Sequence, residues 1–294
     1  MTGVSQDLLK YIHRLEINTK HLVEDAMAGA YQSAFKGNGM WFEEVREYQH
    51  GDDIRSVDWN VTARMQHPYV KVFREERELT LMLIVDISAS GRFGTTNTLK
   101  SQLIAEVAAV LAFSAIKNQD KVGLILFSDI VEKYIPPQKG SRHVLRIIRD
   151  LLAFTPSRKG TNIAEGLAML GKILRRRAVC FLLSDFIDTH NYVSAVQHAA
   201  KTHDFTALMI SDPAEEHIPD MGLVQFRDLE TNEWKIVDTS VQANRSTFAQ
   251  KAQKRRQSAR QTLRYAGAGF LELSTDKPYA PLIRKYFKLR KKNT

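Results

Sequence analysis

Residues 79–90 read Leu-Thr-Leu-Met-Leu-Ile-Val-Asp-Ile-Ser-Ala-Ser, apolar along most of their length and ending in one carboxylate and two hydroxyls. A strand covered on both faces shows no apolar–polar alternation, so this is the pattern of a buried parallel strand that delivers polar groups to the edge of a sheet. Residues 122–127 and 178–183 repeat the pattern, the second run leading into Ser184 and Asp185, and 204–210 supply a further strand. Between the strands, apolar positions recur at helical spacing. Leu99, Leu103, Ile104, Val107, Leu111 and Ile116 give a helix over 95–117 a face broad enough to cover a sheet. Shorter helices are expected over 141–152, with Ser141 as N-cap, over 163–174 and over 192–201. Ser128 and Asp129 begin a hairpin return through 130–135 to an edge strand closed by Pro136 and Pro137. This alternation predicts an α/β fold, a doubly wound and mostly parallel sheet with helices on both faces, joined by right-handed crossovers.

The two ends are less regular. Leu8, Leu9, Ile12, Leu15, Leu22 and Val23 mark an amphipathic helix over 5–28, with a break near Asn18. A turn is expected at Gly37-Asn38-Gly39, and residues 40–78 are dense in charge and aromatics without a helical period. The division expected is therefore an N-terminal helical and irregular arm over 1–78 and the sheet domain over 79–294, vaguer from about 211. In that last part a polar hairpin is expected around Asn232, then a charged helix over 241–265, a strand over 270–273 and a helix from Pro278 onward with a basic end.

Composition narrows the function only a little. The chain has 294 residues, 44% of them apolar, and a formal net charge of +9, which suits an acidic partner but is also ordinary for a cytosolic protein. The single cysteine, Cys180, excludes an internal disulfide and lies in an apolar run, as a buried thiol in a reducing compartment would. No segment approaches the roughly 20 apolar residues of a membrane helix, and the N-terminus has no signal-peptide pattern, so a cytoplasmic location is expected. Gly91 and Gly94 do not have the spacing of a phosphate-binding loop, which disfavours a nucleotide enzyme.

Chemistry concentrates where the strands end. In an open α/β sheet ligands bind beyond the carboxyl ends of the strands, where strand order reverses. Three clusters are expected there: Asp86-x-Ser88-x-Ser90, Gly160-Thr161-Asn162 and Asp185. Hydroxyls and carboxylates are hard oxygen ligands suited to Mg²⁺, with Mn²⁺ or Ca²⁺ as alternatives. Each cluster also has a plainer use, since Asp and Ser bond local backbone in turns and Thr161 could cap a helix. Asp188 reads as an exposed turn residue. As a set, the five resemble the von Willebrand factor A domains that carry a metal-ion-dependent adhesion site: Asp-x-Ser-x-Ser after the first strand, a Thr in a central loop and an Asp after the fourth strand. That resemblance implies that Ser88, Ser90 and Thr161 are direct or switchable ligands and that Asp86 and Asp185 act largely through water. The ion would then keep enough charge to take a carboxylate from a partner.

The stretch before the first strand is more specific. Arg46-x-Tyr48, Gly51-Asp52-Asp53-x-Arg55, Asp58-Trp59 and Ala63-Arg64 resemble the signature block of the domain-of-unknown-function 58 family, whose members carry it before a von Willebrand A-like domain; the likeness spans about residues 30–210. Physically the block reads as an ion-pair and turn network, Arg46, Arg55 and Arg64 forming bidentate pairs with neighbouring carboxylates and Tyr48 and Trp59 acting as anchors. Catalysis by Asp52, Asp53 and Asp58 is disfavoured, because adjacent arginines keep them ionised. The resemblance implies an adaptor for a MoxR-type AAA+ ATPase or for complex assembly, without enzyme activity. Two other classes stay open. A metal-dependent hydrolase would need a general base, and His143, His190 and His198 are scattered along the chain; nucleic-acid binding, disfavoured here, would use the basic faces over 251–264 and 284–292. If those two faces lie side by side, an acidic partner surface follows.

Overall fold

The computed structural model describes residues 6–23, 27–35, 39–76, 78–95, 98–227 and 233–292. They form two units, one of Met1–Ala34 with Leu79–Thr294 and one of Phe35–Glu78. The first two helices, α1 (Gln6–Leu22) and α2 (Ala28–Ala34), thus belong with the sheet and not with an arm over 1–78. α1 runs through Asn18 without a break and buries Ile12, Leu15 and Thr19, one helical face, against the sheet domain. Residues 37, 38 and 232, where turns are expected, lie outside the described residues.

The Phe35–Glu78 unit is more regular than its sequence suggests. β1 (Gly39–Glu47) pairs antiparallel with β2 (Tyr69–Glu76), and a 3₁₀ turn at Ile54–Ser56 and the helix α3 (Trp59–Met65) fill the connection. Asp58 caps α3 by accepting the N–H groups of Asn60 (2.9 Å) and Val61 (3.3 Å), and it pairs with Lys71 at 3.3 Å. Arg46 grips Asp52 in the expected bidentate pair, both bonds 2.8 Å. Gly51 takes the left-handed backbone (φ 109°) that this tight turn requires. Two expectations fail. Arg55 and Arg64 are exposed and pair with no carboxylate among the described residues. Trp59 is 68% exposed, so it anchors nothing, while Tyr48 is half-buried and is held through its backbone N–H on Pro68 O.

In the larger unit six strands order β10-β7-β6-β3-β4-β5, where β3 is Thr80–Asp86, β4 Lys121–Phe127, β5 Val131–Gln138, β6 Val179–Ser184, β7 Asp204–Ser211 and β10 Gly269–Ser274. All neighbours are parallel except β4 and β5, the proline-bearing edge strand. The intervening β8 (Leu223–Arg227) and β9 (Trp234–Asp238) form a separate antiparallel hairpin. Leu81 through Val85 are fully buried, as their unbroken apolar run requires.

Helices cover both faces. α4 (Lys100–Lys117), α5 (Ser141–Ala153), α1, α2 and α9 (Tyr279–Lys292) lie on one side, where α4 is buried nearly all round. α6 (Ile163–Ile173), α7 (Val193–Thr202) and α8 (Gln242–Tyr265) lie on the other. α8 and α9 therefore flank β10 from opposite faces, and their basic surfaces do not adjoin. Two caps differ from expectation. Gly140, not Ser141, precedes α5, and Asn162 caps α6 by accepting the Glu165 N–H at 3.3 Å.

α6 meets the sheet through Gly166, where a Cβ would come within 2.8 Å of the Phe127 ring. That ring is fully buried and has nowhere to move. Gly166→Ala is expected to destabilise the protein by about 1–3 kcal/mol through overpacking, read as a lower urea midpoint; an unchanged midpoint would contradict this contact.

Candidate functional site

β4 and β5 follow β3 on one side of it, whereas β6 and β7 return on the other, so strand order reverses between β3 and β6. Their parallel register pairs Val85 with Leu183 and thereby sets Asp86 beside Ser184 at the carboxyl ends. The Ser184 hydroxyl donates to Asp86 Oδ2 at 2.6 Å, and Asp86 Oδ1 accepts the Ser88 N–H at 2.9 Å in a local turn. That turn aims the Ser88 and Ser90 hydroxyls at each other, 3.0 Å apart. Asp86, Ser88, Ser90, Ser184 and Asp185 line one recess together with Lys100.

Asp185 is turned into this recess by a strained backbone. Phe186, buried, adopts φ 57°, a left-handed conformation uncommon for a bulky residue, and its N–H bonds the Ser184 hydroxyl at 3.0 Å. Asp185 Oδ1 then accepts the Ile187 N–H (3.0 Å) and Oδ2 accepts Lys100 Nζ (2.7 Å).

Thr161 stands in the adjoining loop, 3% exposed. The loop is fastened beside the serines by Ala89 N–H on Lys159 O, 2.9 Å. With Asn162 as the cap of α6, Thr161 is not needed for that task. Asp188, far from being exposed, has a fully buried side chain. Its Oδ2 caps the start of α6 through the Ile163 N–H (2.8 Å) and its Oδ1 meets His190 Nδ1 (2.8 Å). His190 Nδ1 also lies 3.1 Å from Thr161 O, so one histidine does reach the margin of the site.

Lys100 was not foreseen as part of it. The first residue of α4 is fully buried, and its ammonium donates to both Asp185 and Glu215. Glu215 is brought there by Asp212, itself fully buried, whose carboxylate accepts the Thr95 N–H (3.0 Å) and the hydroxyls of Thr95 (2.6 Å) and Thr275 (2.7 Å).

Electrostatics distinguish the acids. Burial, together with the charge of Asp185, raises Asp86 to about 7. Burial also acts against ionised Asp185, but the charge and hydrogen bond of Lys100 outweigh it and hold that carboxyl below its ordinary value. Glu215 is raised by burial despite the same lysine, and Lys100 is held protonated by the two carboxylates against its own burial. Among the described residues no group of three or more His, Cys, Asp or Glu side chains forms a metal cluster. The oxygen set here is instead two hydroxyls and carboxylates, hard donors that fit a Mg²⁺-sized ion.

Residues 44–258, spanning the Arg46–Arg64 block, the sheet core and most of α8, match the family described as Protein of unknown function DUF58. The chain belongs to the DUF58 family. This DUF58 chain is 29% identical over 284 residues to Uncharacterized protein Rv1480 of Mycobacterium tuberculosis, covering 96% of this chain and 89% of that protein. It is 28% identical to Uncharacterized protein YeaD of Bacillus subtilis over 46% of this chain and 31% of that protein. Among solved structures it is similar to the conserved hypothetical protein BatB from Bacteroides thetaiotaomicron, with a TM-score of 0.50 and 16% identity over 73% of this chain and 99% of that one. The fold of this chain is a mostly parallel sheet wrapped by helices on both faces. Among the described residues no helix is long and apolar enough to cross a membrane.

The raised Asp86 has a consequence for stability in chelator. Unfolded, its pKa is ~4, so between about pH 4 and about pH 7 the folded state holds a proton that the unfolded chain has released. Stability therefore falls as pH rises through that window and levels off above it, by at most ~4 kcal/mol. Asp86→Asn, measured by urea unfolding in EDTA, is expected to gain on wild type at about pH 8 and not at about pH 4; parallel profiles would contradict the burial of Asp86 beside Asp185.

Proposed function

We propose that this DUF58 chain is a non-enzymatic protein-interaction module in which Asp86, Ser88, Ser90, Thr161 and Asp185 hold Mg²⁺, and that a partner binds by offering it an acidic side chain. A charge imbalance carries the reading. Asp185 and Glu215 both bind the ammonium of Lys100, and Asp86 lines the same recess as Lys100 and Asp185 at the strand-order reversal. Fully ionised, that set has an excess of two negative charges, which a divalent cation cancels and which a proton on Asp86 cancels only in part.

The residues divide the work. Ser88 and Ser90, with their hydroxyls converging, serve as neutral ligands, and Thr161 in the tethered loop adds a third. Asp185 has Oδ2 on Lys100 and Oδ1 on the Ile187 N–H, so it acts through its bond to Ser90 more than by direct ligation. When bound, the ion supplies a positive centre that accepts a carboxylate oxygen. With few anions touching it, that charge stays available to a partner. The partner proposed is a MoxR-type AAA+ ATPase or a complex under assembly, as the family resemblance implies.

A hydrolase is the second reading, favoured by the Asp188–His190 pair at the site's margin, a carboxylate orienting an imidazole that is half exposed. One set of measurements separates the two. Titration calorimetry with MgCl₂ is expected to show binding weakened at least ~10-fold in Asp86→Ala, and capture of the ATPase is expected to require Mg²⁺ and to fail in that variant. Equal capture in Mg²⁺ and EDTA would sink the bridged interaction, and Mg²⁺-dependent phosphoester turnover lost in His190→Ala would favour the hydrolase.

A further inference from the structure

α8, like α9, is basic throughout. It carries seven Lys and Arg residues and no acidic one along its 24 positions. Its buried residues, Ala252, Ala259 and Leu263, fix one side against the sheet. Three of its cations are tied down within the domain: Arg245 by Asp220 (3.5 Å), Arg256 by Glu216 and by Glu272 (2.9 Å), and Arg260 by Glu272. Lys251, Lys254, Arg255 and Arg264 are exposed and pair with no carboxylate among the described residues.

Two recesses open along this helix. A groove of about 540 Å³ separates its first half from the β8–β9 hairpin, with Phe226, Ile236 and Phe248 as apolar lining and Lys235 and Lys251 as cations. A second, narrower cleft lies between Ala252, Arg255 and Ala259 of the helix and the loop Asp185–Ile187. Asn244, Phe248, Lys251, Arg255 and Ala259 recur at three- and four-residue steps, so the two recesses lie one after the other along one helix face and together form a trough-like surface. From Asn244 to Ala259 it runs about 22 Å, the reach of roughly seven residues of extended chain. Beside its hairpin end Trp234 and Ile236 are 56% and 72% exposed.

We propose that this trough is the docking surface for an extended acidic segment of a partner protein, its carboxylates meeting Lys235, Lys251 and Arg255 and an apolar side chain entering the hairpin groove. Charge complementarity selects the occupant: among the described residues these three cations pair with no carboxylate, whereas along the trough Glu215 is engaged by Lys100, Glu216 by Arg256 and Asp238 by Ser240, with Glu233 the further carboxylate lining the hairpin end. A polyphosphate chain fits less well. The groove is apolar at one end, which suits a leucine-like side chain and not a phosphate, and the exposed indole of Trp234 is already stacked against Arg227 (5.3 Å) instead of standing open to a base. The surface rests on α8 and the hairpin and does not require a cation at Asp86.

The test uses the full chain and a fluorescein-labelled peptide of about seven residues, alternating glutamate and leucine, followed by fluorescence anisotropy in EDTA at low salt. Wild type is expected to bind it, Lys251→Glu/Arg255→Glu to bind at least ~10-fold more weakly, and Lys251→Gln/Arg255→Gln to fall between. Both positions are exposed on the helix, and unchanged thermal unfolding would show the variants folded. Lys288→Glu, an exposed reversal on α9, is expected to leave binding unchanged, as is Asp86→Ala, which separates this surface from the cation reading. Equal affinity of wild type and the double reversal would overturn the proposal. So would an equal loss in Lys288→Glu, which would make the attraction one of net charge alone, or tighter binding of a single-stranded oligonucleotide of matching length.

Discussion

Two carboxylates buried side by side at the ends of β3 and β6 impose the constraint on which this domain is arranged. Parallel pairing fixes Asp86 next to Ser184 and hence close to Asp185, and neither acid can retreat to solvent. Like charges in a low-dielectric setting must be neutralised, one by one, by a proton, a cation or hydrogen bonds. Asp185 takes the ammonium of Lys100. Asp86 is left with two hydroxyl- and amide-type donors and an affinity for a proton well above that of an ordinary carboxylate.

Much of the surrounding structure serves this arrangement. A lysine at the first position of a helix is ordinarily solvated; here it is sealed in because Phe93 O accepts its backbone N–H at 3.0 Å and Asp212 draws the segment after β7 over it. Phe186 adopts its left-handed backbone at the point where Asp185 must turn inward. The loop bearing Thr161 is held by Lys159 O, which accepts the Ala89 N–H between the two serines, on one side and by Asp188 and His190 on the other, while Asn162 does the capping. Charge, strain and backbone bonding converge on the one place in the sheet where strand order reverses.

The sheet was legible because strands buried on both faces write themselves as unbroken apolar runs, and the polar residues that stop those runs, Asp86 and Asp185, mark the site. Lys100 and Glu215 were not legible. Nothing local separates a buried lysine at a helix start from a solvated one; its burial follows from two acids that approach only after β6 and β7 have been placed. The charged region before β3 concealed a β1–β2 ladder because a small two-stranded unit needs no apolar run, and counting opposite charges there overstated the pairing: Arg46 has its carboxylate, whereas Arg55 and Arg64 face solvent. Trp59 misled in the same way, since aromaticity alone does not bury a residue on a seven-residue helix. The basic helices could be recognised but not located, for whether α8 and α9 adjoin depends on β10 joining the sheet between them.

Where a divalent cation sits decides between a metal site and a purely hydrogen-bonded acid pair. Diffraction from crystals grown with MnCl₂, collected at the manganese edge, would locate it without reference to any partner. An anomalous peak within ligating distance of the Ser88 and Ser90 hydroxyls, beside Asp86, is the result predicted. A recess empty of manganese at saturating concentration, with Asp86 still on Ser184 and Ser88 and Asp185 still on Lys100 and Ile187, would contradict it.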